Sequence, residues 1–379
     1  MGTPENITLP DFQVFVKPAG AECNLHCAYC YYIGRSGSGS SVMSYEILER
    51  VVKQQIETAE SSAITFSWHG GEPLLAGIDF FRSAVTLQKK YCPPGKRIIN
   101  GIQTNGTLIN EEWCRFFDRE NFIVGLSMDG PEKYHDRFRR GRDGEGSFAK
   151  VLNGFDLLVM HGIDPEILCV VNSVNSPYPL EVYDFFRQLG VTHLTFIPLV
   201  ERTIDGAISS MSVSPAAWGR FLIDVFDEWV EHDIGNIKVQ IFEETLKTAF
   251  RHDHDLCIFK RECGRVPVIE HNGDFYSCDH YVRTDYKIGN IGSSTLQDLL
   301  QNESQVAFGK GKSDTLPVYC RNCEVLELCN GECPKNRFIK TPGGEEGLNY
   351  LCEGYRGFFN HCRPVISSVG KLVIPPVYP

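Results

Sequence analysis

The chain has 379 residues, a formal net charge of -11, 42% hydrophobic residues and 22% charged residues. That length exceeds one simple core and predicts one large and one smaller domain, divided here into residues 1–235 and 236–379. The acidic balance argues against a nucleic-acid partner, since phosphate binding needs clustered positive charge, and no apolar run is long enough to span a bilayer.

Fifteen cysteines are the unusual feature. The opening stretch Met1-Gly2-Thr3-Pro4-Glu5-Asn6 lacks the basic and apolar regions of a secretory signal, so a cytoplasmic protein is expected. Clustered thiols in that setting read as metal ligands rather than disulfides. Cys92, Cys114, Cys169 and Cys362 stand outside any cluster and read as buried or incidental thiols.

The first strand-like run, Phe12–Val16, leads through Lys17-Pro18-Ala19-Gly20-Ala21-Glu22 into Cys23-Asn24-Leu25-His26-Cys27-Ala28-Tyr29-Cys30. This C-x3-C-x2-C spacing brings three thiolates within reach of one soft metal centre. Three ligands on a four-iron cluster leave one iron open to a chelating small molecule. A zinc loop borrowing a fourth ligand is the alternative.

Further strands are expected at Ala63–Trp68, Ile98–Gln103, Phe122–Met128, Ile167–Val171 and His193–Ile197. Amphipathic helices are expected between them at Ser44–Ala59, Ile78–Tyr91, Asn110–Arg119, Phe148–His161 and Leu180–Leu189, and after the last strand at Ser214–Asp233, with Ser44 and Ser214 as N-caps. Such alternation implies a parallel sheet with right-handed crossovers. Six units are too few for a closed eight-stranded barrel. The expected fold is therefore α/β, an open, partial (β/α)6 TIM-type barrel whose gap admits a bulky substrate.

Polar and glycine-rich residues follow each strand, at the rim where barrel enzymes carry their active sites. The second strand ends in His69-Gly70-Gly71-Glu72-Pro73, whose two glycines permit close backbone approach and whose free N–H and C=O groups can hold an amine or carboxylate. Arg139 and Arg140, in the loop after the fourth strand, are candidates to clamp a carboxylate.

The second half carries Cys257, Cys263, Cys278, Cys320, Cys323, Cys329, Cys333 and Cys352. Asn272-Gly273 signals a tight hairpin within Val266–Cys278. Eight thiols fill two four-ligand sites, and zinc and iron–sulfur fit that spacing nearly equally. The three-cysteine loop upstream tilts the reading toward iron.

From Phe12 to Tyr355 the sequence resembles radical S-adenosylmethionine enzymes with a SPASM-type C-terminal domain, and more narrowly the anaerobic sulfatase-maturating enzymes. The resemblance rests on the first cysteine motif, Trp68-His69-Gly70-Gly71-Glu72-Pro73-Leu74-Leu75, Gln103-Thr104-Asn105-Gly106-Thr107-Leu108, Tyr276-Ser277-Cys278-Asp279-His280 and Cys329-Asn330-Gly331-Glu332-Cys333-Pro334-Lys335-Asn336-Arg337-Phe338. It implies three [4Fe–4S] clusters, the first on Cys23, Cys27 and Cys30 and open to S-adenosylmethionine. The SPASM domain would carry two auxiliary iron–sulfur clusters, one on Cys257, Cys263, Cys278 and Cys333 and one on Cys320, Cys323, Cys329 and Cys352. Gly70, Gly71 and Glu72 would meet the methionyl end of the cofactor, with Asn105, Ser127 and Arg139 as further contacts.

The resemblance also implies the reaction. A 5′-deoxyadenosyl radical would take a Cβ hydrogen from a sulfatase cysteine or serine, Asp279 would act as general base, and an auxiliary cluster would accept an electron, giving Cα-formylglycine. The substrate would be an unfolded or nascent sulfatase, and reducing equivalents would come from a donor such as flavodoxin or ferredoxin. Two alternatives remain: a SPASM enzyme that crosslinks a ribosomal peptide, which the short segment before Cys23 disfavours, and a non-catalytic, zinc-stabilised peptide-binding module.

Overall fold

The computed structural model describes residues 11–32, 42–250 and 252–373, so Met1–Asn6 lies outside the described residues. Six strands follow in order: β1 (Phe15–Val16), β2 (Ala63–Trp68), β3 (Arg97–Thr104), β4 (Phe122–Ser127), β5 (Glu166–Val171) and β6 (His193–Pro198). Each pairs in parallel with the next, and a two-residue strand, β7 (Lys238–Val239), adds to β6. Around them lie α1 (Tyr45–Thr58), α2 (Ile78–Tyr91), α3 (Glu111–Arg119), α4 (Glu132–Phe138), α5 (Phe148–Met160), α6 (Pro179–Gln188) and α7 (Pro215–His232). The expected elements are all present within a residue or three; α4 and β7 are additions.

Local chemistry accounts for the boundaries. Ser44 accepts from the N–H of Ile47, and Ser214 from that of Ala217, so each caps the helix it was expected to start. Alternate β2 and β4 side chains, including Ile64, Phe66, Val124 and Leu126, enter the core. Between β2, β3 and α2 the indole of Trp68 donates to Asn100 at 2.9 Å, and Gln88 and Asn100 exchange two further bonds, so this buried polar group is satisfied.

The second half forms a small antiparallel pair of its own, Arg337–Ile339 with Leu348–Asn349, but its other strands join the first sheet. Strands β8 (Val268–Ile269), β9 (Asp274–Tyr276) and β10 (Lys287–Asn290) extend the first one, in the order β10-β9-β8-β1-β2-β3-β4-β5-β6-β7. The join is a parallel pairing of Phe15 with Val268 and Val16 with Ile269. The β8–β9 hairpin turns at Asn272-Gly273, where Gly273 has φ +84°. The sheet is open, with β7 and β10 as its edges. On the opposite flank the C-terminal helix Cys352–Val373 packs on α7 at a contact so close that a Cβ on Gly354 would lie 2.3 Å from the carbonyl of Pro215. Among the described residues no helix is long and apolar enough to cross a membrane.

Candidate active site

The first cysteine loop is laced to the rest of the rim by its backbone. His26 donates to the carbonyl of Arg140 at 2.7 Å and Ala28 to that of Phe138 at 2.9 Å, so the segment after α4 holds one side. On the other side Gly71 donates to Gly20 at 2.9 Å and Glu72 to Glu22 at 2.8 Å. A Cβ on Gly71 would stand 2.2 Å from the Glu22 carbonyl oxygen, so glycine is needed there for contact with the cysteine loop. The N–H groups of Gly71 and Glu72, expected to be free for a ligand, are engaged in this ladder.

Glu72 also has a structural task. It is fully buried, and its carboxylate accepts from the N–H of Leu74 (3.0 Å), the Thr104 hydroxyl (2.7 Å) and the N–H of Asn105 (2.8 Å). Burial pushes its carboxyl above the usual range against the pull of those three donors. The carboxylate thereby fixes the end of β3. Asn105, so placed, donates to Asn24 at 2.9 Å and approaches Cys23 Sγ at 3.7 Å. Ser127 accepts from Gln103 at 3.1 Å. Arg139 is buried, donates to the Tyr29 hydroxyl at 3.0 Å and lies 4.0 Å from Asp129, whereas Arg140 is exposed and bonds the Gly144 carbonyl. Of the two arginines only Arg139 belongs to the rim's interior.

The eight later cysteines gather in two places. Cys320, Cys323, Cys329 and Cys352 line one apolar cavity with Val325, Leu326, Leu348 and Tyr355. Cys278 lies within electrostatic reach of Cys257 and Cys263, and Cys333 within reach of Cys278 and Cys257. Among the described residues no three His, Cys, Asp or Glu side chains converge tightly enough for a single ion; the first of these quartets instead rings a space. Burial pushes the thiols of Cys23, Cys257 and Cys352 up to about 11, so each needs a cationic centre to become a thiolate ligand. That donor set fits iron–sulfur clusters. Cys114, Cys169 and Cys362 are buried away from both groups.

Asp279 is buried directly after Cys278, and its carboxylate is gripped from the barrel side. Lys17 Nζ lies 2.5 Å from Oδ1, and the Tyr31 hydroxyl donates to Oδ2. Burial alone would raise this carboxyl, but the Lys17 ammonium, with His69 and His280 nearby, overrides it and holds the group well below the usual carboxylate range. Tyr31, Glu270 and Lys312 are residues that pattern reasoning missed, and Lys17, His69 and Arg337 stood in the quoted stretches without a role of their own. Lys312 is buried and donates to the carbonyls of Cys257 (2.9 Å) and Ile258 (2.6 Å); Arg337 donates to the Lys312 carbonyl (2.6 Å). A lysine ending an apolar strand (Lys17) was the one available signal.

The geometry has counterparts among known proteins. Residues 19–196 match the Radical SAM superfamily and residues 257–324 an iron-sulfur cluster-binding domain. A serine-type anaerobic sulfatase-maturating enzyme of Bacteroides thetaiotaomicron is 44% identical over 94% of this chain and 91% of its own length. A cysteine-type enzyme of Clostridium perfringens (strain 13 / Type A) is 33% identical over 96% and 99% respectively. The solved structure of native anSMEcpe with bound AdoMet and the Kp18Cys peptide superposes with a TM-score of 0.87 at 33% identity, covering 96% of this chain and 100% of that one.

Proposed function

The chain belongs to the anaerobic sulfatase-maturating enzymes of the radical SAM superfamily, and from that premise we propose that it oxidises a sulfatase cysteine or serine to Cα-formylglycine. The observation that carries this reading is a buried carboxylate, Asp279, adjoining a cluster ligand and facing the exit of the cysteine loop at Tyr31. Relatives of both types match over most of the chain, serine-type at 44% and 35% and cysteine-type at 33%, so both residues are substrates to be compared. We assign the cofactor-cleaving unit to residues 1–235 and the auxiliary-cluster unit to 236–379.

Cys23, Cys27 and Cys30 would hold the first cluster, and the two later quartets the auxiliary ones. When bound, S-adenosylmethionine and these clusters supply a radical able to remove an unactivated Cβ hydrogen and a sink for one further electron. The chain's own residues do the rest. The carbonyls of Gly70 and Gly71 would accept from an amine, while the N–H groups of Gly71 and Glu72 are bonded to the cysteine loop. Glu72 keeps Asn105 in place near Cys23. Arg139, with Tyr29 and Asp129, presents a fixed positive charge beside the loop. Asp279 takes the proton from the substrate hydroxyl or thiol. A donor such as flavodoxin or ferredoxin is the proposed electron source.

The test is anaerobic turnover of sulfatase-derived serine and cysteine peptides with reductant and S-adenosylmethionine. Formylglycine should appear from at least one of the two. A crosslinked peptide without aldehyde would instead support a ribosomal-peptide maturase. Full turnover by Asp279→Asn would remove the general-base role.

A further inference from the structure

The seam between β1 and the β8–β9 hairpin holds a cation to which the reaction above gives no task. Lys17 follows β1 and has no exposed surface. Its ammonium lies 2.5 Å from Asp279 Oδ1, 3.9 Å from Glu270 and 3.5 Å from the centre of the Tyr32 ring. A buried lysine requires a close anion, and a pair with Glu270 alone would meet that need. It lies closer, however, to the carboxylate that adjoins Cys278. Tyr31, just beyond the cysteine loop, holds the second oxygen of the same carboxylate. Asp279 is thus anchored from two sides by groups of the barrel half, which removes the side-chain freedom that a short acidic residue otherwise keeps.

We propose that Lys17 is a positioning residue for Asp279, with Tyr31 as its counterpart: Lys17 fixes Oδ1, so that the substrate's O–H or S–H proton is received at Oδ2 as Tyr31 gives up its hydrogen bond. The neutral hydroxyl is the cheaper partner to exchange, because separating the buried ion pair would strip the Asp279 carboxylate of its closest cation. The proton passes from the substrate heteroatom to Oδ2, the substrate becomes anionic, and the Lys17–Oδ1 contact persists throughout. This rests on the reading of Asp279 as general base.

The experiment compares K17M, K17R, D279N and K17M/D279N as anaerobically loaded enzymes on a peptide deuterated at the reacting Cβ. Hydrogen abstraction does not need the base, so K17M should still carry deuterium into 5′-deoxyadenosine and bind peptide as the parent does. Formylglycine formed per 5′-deoxyadenosine should fall about tenfold or more. The double variant should be no worse than D279N, since Lys17 acts through Asp279. A crystal structure of K17M should show the carboxylate turned from its place. A parental product ratio in K17M, an unmoved carboxylate, or a multiplicative loss in the double variant overturns the proposal. Should K17M not load iron, K17R decides: a lowered ratio supports positioning, and a parental ratio refutes it. A parental ratio in D279N would overturn the general-base reading itself, a result separable from all of these.

Discussion

Replacing Glu72 with glutamine tests whether this residue is a structural tie of the rim. The carboxylate offers acceptors to three donors, two on Oε1 and one on Oε2. An amide supplies one acceptor and one donor pair, so its nitrogen must face at least one buried N–H; the least harmful placement sets it against Asn105. The loss is one hydrogen bond to a charged group, about 1.5–3 kcal/mol, plus the cost of an unsatisfied buried N–H, about 1–3 kcal/mol. Against this stands the relief of burying a neutral group, which the raised carboxyl of Glu72 shows to be substantial. The net expectation is about 2 kcal/mol of destabilisation. Anaerobic urea unfolding followed by tryptophan fluorescence should show a midpoint lowered by roughly 0.5–1 M at an unchanged slope. Because Asn105 reaches Cys23, the electron paramagnetic resonance signal that the first cluster gives with S-adenosylmethionine should also broaden. A midpoint and a signal equal to the parent's would refute the structural assignment and return Glu72 to the ligand contacts.

Gly71→Ala should force the cysteine loop away, because its Cβ would meet two backbone carbonyls; anaerobic iron analysis should fall from about 12 to about 8 per chain, with both auxiliary clusters retained. His135 is buried, accepts from the N–H of Asp129 at 3.3 Å, and has its imidazole held well below its ordinary value by burial and by Arg139. A neutral buried imidazole contributes stability that is present above the unfolded histidine value and lost as pH falls below it. Urea midpoints should therefore drop from pH 7 to 5.5, with a slope approaching about 1.4 kcal/mol per pH unit, and His135→Gln should flatten the dependence. Lys335 joins the two halves by donating to the Val200 carbonyl at 2.8 Å and to Glu201 at 2.7 Å; Lys335→Ala should lower stability by about 1 kcal/mol and raise proteolysis in the 201–212 loop.

The barrel was legible because its signals are local. Apolar runs of strand length alternate with 3.6-residue periodicity, and Ser44 and Ser214 announce their helices. The three-cysteine loop was equally readable as spacing, whereas the division of the eight later cysteines into two quartets rests on the family resemblance, because the members of each set interleave along the chain. The partnerships across the sheet were not. Lys17 looks like the first polar residue after a strand until β8 brings Asp279 and Glu270 beside it. The motif places Glu72 at the rim, but its engagement by Leu74, Thr104 and Asn105 depends on how β2 and β3 pair. The helix α4 was overlooked although Pro131-Glu132 is a sound helix start, because the whole helix is only seven residues long before Arg139 ends it. Side-chain roles set by long-range register are invisible to pattern and spacing alone.

The parallel join of β1 to β8 has a consequence for biosynthesis. The two partners are separated by roughly 250 residues, so at about 5–20 residues per second the first strand waits tens of seconds for its neighbour to leave the ribosome. During that interval β1 is an uncovered edge, open to mispairing. Fragments cut near residue 236 should share this fault, one half exposing β1 and the other β8, and should precipitate when made singly yet recover solubility when co-expressed.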